Sequence, residues 1–171
     1  MGDILKPSTG LAAIAIALAW LLPVHGETLM DKAEQSKTLS IAGDDPAMKA
    51  AFAKAQATLD GFIDVLDNKR PGIEQPTVKV PITDQGQTEF FWIIDVGHDG
   101  NKFTGTIDNQ PEFVHSVVDG QKFSFDRSEI ADWGYFENGE LKGNFTTCVL
   151  LSREDPQEVK ELEARVHLTC P

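Results

Sequence analysis

Nucleophilic hydrolysis needs a hydroxyl or thiol placed beside a base. The chain has four histidines in 171 residues, and only His115 and His167 stand clear of turns and of the N-terminal segment. No Gly-x-Ser-x-Gly elbow is present to accompany either one. His115, within Phe113-Val114-His115-Ser116-Val117, reads as a surface residue of an amphipathic stretch rather than as a base. Asp95-Val96-Gly97-His98-Asp99-Gly100 gathers two carboxylates and an imidazole, but it lacks the ligand count of a calcium loop. Asp-Gly at a strand end is an ordinary turn, so that segment is read as a turn and no metal is assigned. No cofactor fingerprint is present, and none is expected.

Carboxylate pairs for glycoside hydrolysis must flank a bond at about 5–10 Å. With 27 Asp and Glu in the chain such pairs arise by chance, so proximity alone carries little. Two segments stand out because each sits at the end of an expected strand: Asp108-Asn109 and Asp132-Trp133-Gly134-Tyr135. Asp and Asn favour such places by bonding nearby backbone, and Trp133 suits a core with one donor to satisfy. The candidate ligand surface is where Asp108, Asn109, Asp132, Trp133 and Tyr135 converge. Asn144-Phe145-Thr146 fits a glycosylation sequon but falls inside an expected strand, which argues against its use.

The elements that must position these residues begin with a leader. Leu11 to Leu22 is an unbroken apolar run flanked by Lys6 before it and by Pro23-Val24-His25-Gly26 after it. A membrane-spanning helix needs about 20 residues, so the run is too short, and its length and flanks read as a secretory signal peptide over residues 1–26. Residues 27–44 show no sustained periodicity and read as a flexible spacer, leaving 45–171 as a single domain. Export places Cys148 and Cys170, 22 positions apart, in an oxidising compartment where an even count reads as a disulfide. Such a bridge would pin the C-terminal tail to a strand.

Asp45-Pro46 opens a helix, with aspartate as the N-cap and proline at the first helical position. Met48, Phe52, Ala55, Leu59, Phe62 and Leu66 then form one stripe, and Asn68-Lys69-Arg70-Pro71-Gly72 stops it. From Gln75 the period becomes two. Val78, Val80 and Ile82 alternate in a strand that Pro81 marks as an edge. In the next strand Phe90, Trp92, Ile94 and Val96 share one face and Phe91 and Ile93 the other, predicting a central strand covered on both sides. Phe103–Ile107 follows, then a turn leading into one or two helical turns through Val118, then Phe123–Phe125. Asn138-Gly139 joins Trp133–Phe136 to a strand spanning Leu141–Leu151, and Pro156–Glu163 is a short charged helix. The fold class is therefore α+β: an N-terminal amphipathic helix packed on a curved, mostly antiparallel five- to six-stranded sheet or partly closed barrel.

The residues from about Val78 to Leu151 resemble the YegJ-like family of bacterial proteins, domain of unknown function 2314. The carrying segments are Thr88-Glu89-Phe90-Phe91-Trp92-Ile93, Phe103 to Pro111, Asp119 to Phe125, Ile130-Ala131-Asp132-Trp133 and Glu137 to Thr146. Where members often have Gly-Asp before the strand, this chain has Asp119-Gly120. The resemblance implies a bacterial exported protein and this fold boundary, and no catalytic residues.

The formal charge of −12 fits poorly with phosphate backbones, which bind through Lys and Arg, so nucleic acid is excluded as a partner. It would steer a basic partner toward the surface. The expected function is a small acidic binding module of the bacterial envelope, periplasmic or secreted. Its partner would be a protein or small ligand, with no membrane association after signal cleavage. The alternative is a small carboxylate hydrolase built around Asp108 and Asp132 and acting on an envelope polymer.

Overall fold

A computed structural model describes residues 45–170. The leader expected over 1–26 and the spacer expected over 27–44 lie outside the described residues. Helix α1, Pro46–Asn68, begins as its first residues dictate: the Met48 N–H donates to the Asp45 carboxylate at 2.9 Å, and Pro46 occupies the first turn. A left-handed Lys69 (φ 42°) ends it. The buried line is Met48, Ala51, Ala55, Leu59, Phe62 and Val65. Ala51 and Val65 thus take the innermost places expected for Phe52 and Leu66, which are half-buried. The apolar stripe of such a helix is about 100° wide, so adjacent positions compete for its centre. Phe52 is not idle at the margin, since its ring stacks on Phe90 at 5.5 Å.

The strands are β1 Ile73–Asp84, β2 Gln87–Asp99, β3 Lys102–Ile107, β4 Lys122–Asp126, β5 Asp132–Glu137 and β6 Glu140–Gly143. They form one antiparallel sheet in the order β4-β3-β2-β1-β5-β6, open at both ends. The α+β class and the six strands agree with the sequence; the sheet does not close into a barrel. β1 is an interior strand rather than the edge that Pro81 suggested. Pairing with β5 runs only as far as Lys79 opposite Asp132, so at Pro81 the chain has β2 alone beside it. A residue without an N–H is tolerated there because no second ladder asks for one.

β2 is central, between β1 and β3, but its faces do not alternate along its whole length. Phe91 and Ile93 are fully buried. At Asp95 (φ 52°) a bulge shifts the register between Ile94 and Gly97, inserting one residue. Parity therefore reverses: Val96 packs against the main core instead of sharing a face with Phe90, Trp92 and Ile94, and His98 stacks on the core residue Phe103 at 4.9 Å. Gly105 lets β3 lie this close, because a Cβ there would stand 2.3 Å from Ile93 Cγ2.

Two further segments depart from the sequence reading. No helical turn forms before Val118; the 108–121 connection is irregular throughout. The strand expected over Leu141–Leu151 stops at Gly143, where Gly143 (φ 78°) and Asn144 (φ 56°) turn the chain into helix α2, Phe145–Leu151. A short apolar run such as Val149-Leu150-Leu151 does not distinguish helix from strand by itself. The Asn144 sequon position therefore starts a helix. Cys148 lies on α2, and its disulfide to Cys170 ties that helix, not a strand, to the tail. Helix α3, Pro156–Val166, is capped by Asp155 and completes a satellite core in which Leu151 and Leu168 meet Leu141, Val159 and Leu162. Removing the bridge with Cys148→Ser and Cys170→Ser is expected to lower the unfolding free energy by about 3 kcal/mol, read as an earlier urea midpoint than for the oxidised chain.

Candidate functional site

The five residues singled out by sequence fall in two places. Asp108 and Asn109 follow β3, where Asp108 donates its N–H to the Trp92 carbonyl (2.9 Å). Asn109 is buried and its Oδ1 accepts the Trp92 N–H at 2.9 Å, so its side chain continues the ladder where the backbone leaves it. Its Nδ2 is buried with no partner among the described residues. The Asp108 carboxyl is exposed, and its pKa is pushed up by partial burial first, then by the charges of Asp119 and Asp95.

Asp132, Trp133 and Tyr135 lie on β5 and do not join that pair. Asp132 is 0% exposed, and its two oxygens accept the Trp133 N–H (2.8 Å), the Thr146 N–H (2.8 Å) and the Thr146 hydroxyl (2.6 Å). Trp133 is a core residue: its Nε1–H donates to the Ala55 carbonyl at 3.1 Å and its ring stacks on Phe62 at 5.5 Å. Tyr135 stacks on Trp133 at 5.8 Å, and its pKa is raised chiefly by burial, then by Glu137.

Sequence reading missed the residue that stands between the two places. Lys79, 8% exposed, lies opposite Asp132 on one side and Trp92 on the other. Its Nζ donates to Thr146 Oγ1 at 2.9 Å and sits 4.4 Å from the centroid of the Trp92 ring. Burial lowers its pKa to about 8, with Asp132 opposing the shift. A depressed amine pKa means that the folded protein binds fewer protons than the unfolded chain between about 8 and 10.5. The Lys79 contribution to stability therefore rises with pH through that window and is flat below it. Between neutral pH and pH about 9.5 the gain is expected to be about 2 kcal/mol. Urea unfolding at the two pH values should show the rise in the native chain and not in Lys79→Met.

The second missed residue is Glu89. It lies in β2 two positions before Phe91, on the inward side, and is 4% exposed. Its carboxylate accepts three consecutive backbone N–H groups: Glu112 (3.0 and 3.1 Å to its two oxygens), Phe113 (3.1 Å) and Val114 (3.3 Å). The signal was its parity with Phe91 and Ile93, which puts a carboxylate at a core position. A buried charge must be paired or hydrogen-bonded, and here the partner is a loop backbone.

That loop, 108–121, is long for a connection with no regular structure, and such loops are usually functional. Glu89 holds its middle, Asp84 accepts the His115 N–H (2.9 Å), and Gln121 accepts the Val118 N–H (3.0 Å). Ile107 closes its base by bonding Gly120 and Gln121 at 2.9 Å. Val114 and Val117 are sunk in the main core. Phe113 and Val118, beside them, point the other way and are 57% and 62% exposed; they are the exposed large hydrophobics among the described residues. From 108 to 121 the loop carries Asp108, Glu112 and Asp119 and neither Lys nor Arg.

Among the described residues, the other groups that the sequence brings together lie outside this loop. His98 and Asp95, grouped by sequence, are taken separately: His98 meets Asp67 at 2.9 Å, while Asp95 accepts the Thr106 hydroxyl at 3.1 Å. A polar cleft of about 400 Å³ lined by Gln56, Asn101, Asp126, Arg127 and Ser128 contains none of the five residues.

Comparison with known proteins gives kinship without an activity. The family described as "Uncharacterized protein conserved in bacteria (DUF2314)" matches residues 45–169, so the likeness extends past the 78–151 strand region to α1 and to the disulfide-tied tail. The "Uncharacterized protein YegJ" of Escherichia coli (strain K12) is 37% identical over 134 residues, covering 78% of this chain and 86% of that protein. A "Putative ankyrin repeat protein NMB1133/NMB1171" of Neisseria meningitidis serogroup B is 30% identical over 91 residues, 51% of this chain and 36% of that protein. No solved structure matches.

Proposed function

The chain belongs to the DUF2314 family of bacterial proteins, and we propose that it acts as an exported binding module of the bacterial envelope, periplasmic or secreted, recognising its partner through the 108–121 loop. The observation that carries this reading is the loop itself: a backbone fastened to a buried carboxylate, with two large apolar side chains turned outward. Preordering a recognition loop removes an entropic cost from association, and Phe113 and Val118 are the exposed large hydrophobics among the described residues. The apolar run 11–22 and the Cys148–Cys170 bridge support export.

The test is affinity capture from envelope extract with the native chain and with Phe113→Ser/Val118→Ser. The loop is anchored through backbone N–H groups and through Val114 and Val117, not through the side chains of Phe113 and Val118, so the double variant is expected to keep its unfolding midpoint. A partner held by the native chain and lost by the variant is expected. Identical capture by both, or capture of nothing, sinks the reading, and recovery of the native protein from cytoplasm with Met1 retained sinks the export part.

A further inference from the structure

Resting on that reading, we infer that the partner is a cationic protein surface with an apolar socket, which takes Phe113 and Val118 while its Lys and Arg meet Asp108, Glu112 and Asp119. Both exposed large hydrophobics of the described residues, Phe113 and Val118, fall in this loop five positions apart. Every formal charge in the loop is negative, and the buried carboxylate beneath it, Glu89, is consumed by backbone donors. A second copy of this chain would set acidic loop against acidic loop, and like charges brought together across an interface oppose pairing. An anionic membrane surface is disfavoured on the same ground. The complement is basic at its rim and apolar at its centre, the arrangement in which aromatic anchors are buried and charges steer encounter.

The experiment places the photo-crosslinker benzoylphenylalanine at position 113, at position 118 and, as control, at Ala57 on the exposed side of α1, in the full chain expressed in bacteria. The adducts are mapped by mass spectrometry, and the captured protein is then purified and titrated against native chain, Phe113→Ser and Glu112→Lys. The inference expects adducts at 113 or 118 and not at 57, on a peptide containing Lys or Arg beside apolar residues. It also expects affinity to fall about tenfold or more for each variant and to weaken steeply from low to high salt. Adducts with a second copy, with residues 27–44 of the same chain or with lipid overturn it. A protein partner indifferent to salt and to Glu112→Lys overturns the cationic inference and leaves the binding module standing. Absence of any adduct at 113 and 118 overturns both.

Discussion

Glu89→Ala is expected to lower the unfolding free energy by about 3–5 kcal/mol, the cost of removing one partner from a buried charged hydrogen-bond group. The native carboxylate satisfies the N–H groups of Glu112, Phe113 and Val114 at one point, 4% exposed. Alanine leaves those donors without an acceptor and a void beneath the loop. Glu89→Gln keeps the shape and one acceptor oxygen but turns an NH2 toward N–H donors, so it should fall between the two. Equilibrium urea unfolding reads the series directly. A loss below about 1 kcal/mol for Glu89→Ala, the size of an ordinary neutral hydrogen bond, would mean that Glu89 is dispensable and that Val114, Val117, Asp84 and the Ile107 pairing hold the loop.

Asp132→Ala comes next, at about 3–5 kcal/mol. It removes the acceptor of the Trp133 N–H, the Thr146 N–H and the Thr146 hydroxyl. It also strips Lys79 of the opposing charge in a buried site. The two effects can be separated with Lys79→Met. If the ammonium left behind accounts for much of the loss, Lys79→Met/Asp132→Ala is more stable than Asp132→Ala, and the double-mutant cycle gives a coupling of about 1–3 kcal/mol. Strict additivity would show that Asp132 serves the backbone of α2 only. Either way the carboxylate that sequence reading offered to a hydrolase is committed to holding β5 against α2.

What was legible in the sequence was what local chemistry decides. Asp45-Pro46 starts a helix because the carboxylate reaches the Met48 N–H a turn away. The turn at Asn138-Gly139 lies where asparagine and glycine permit positive φ, and its hairpin formed. Asp132 and Asn109 were singled out as residues that bond backbone, and both do so. The illegible part depends on partners distant in sequence. The bulge at Asp95 reversed the facing of Val96, and nothing in Ile94-Asp95-Val96 announces an inserted residue. Gly143-Asn144 bends a run of strand-forming residues into α2, where Thr146 can reach Asp132 and Lys79. The parity of Glu89 with Phe91 and Ile93 marks an inward carboxylate but does not name what it bonds. Its role is visible only once the backbone of 112–114, more than twenty residues on, is folded over it.

Amide hydrogen exchange at Glu112, Phe113 and Val114 tests the fixed loop most directly, because each N–H is assigned to Glu89 rather than to any ladder. In the native protein these three amides should exchange far more slowly than the free-chain rate. In Glu89→Gln they should speed up while the amides of β2 and β3 keep most of their protection. Free-chain exchange at all three in the native protein would contradict the account, since a loop that opens continually is not a preordered surface.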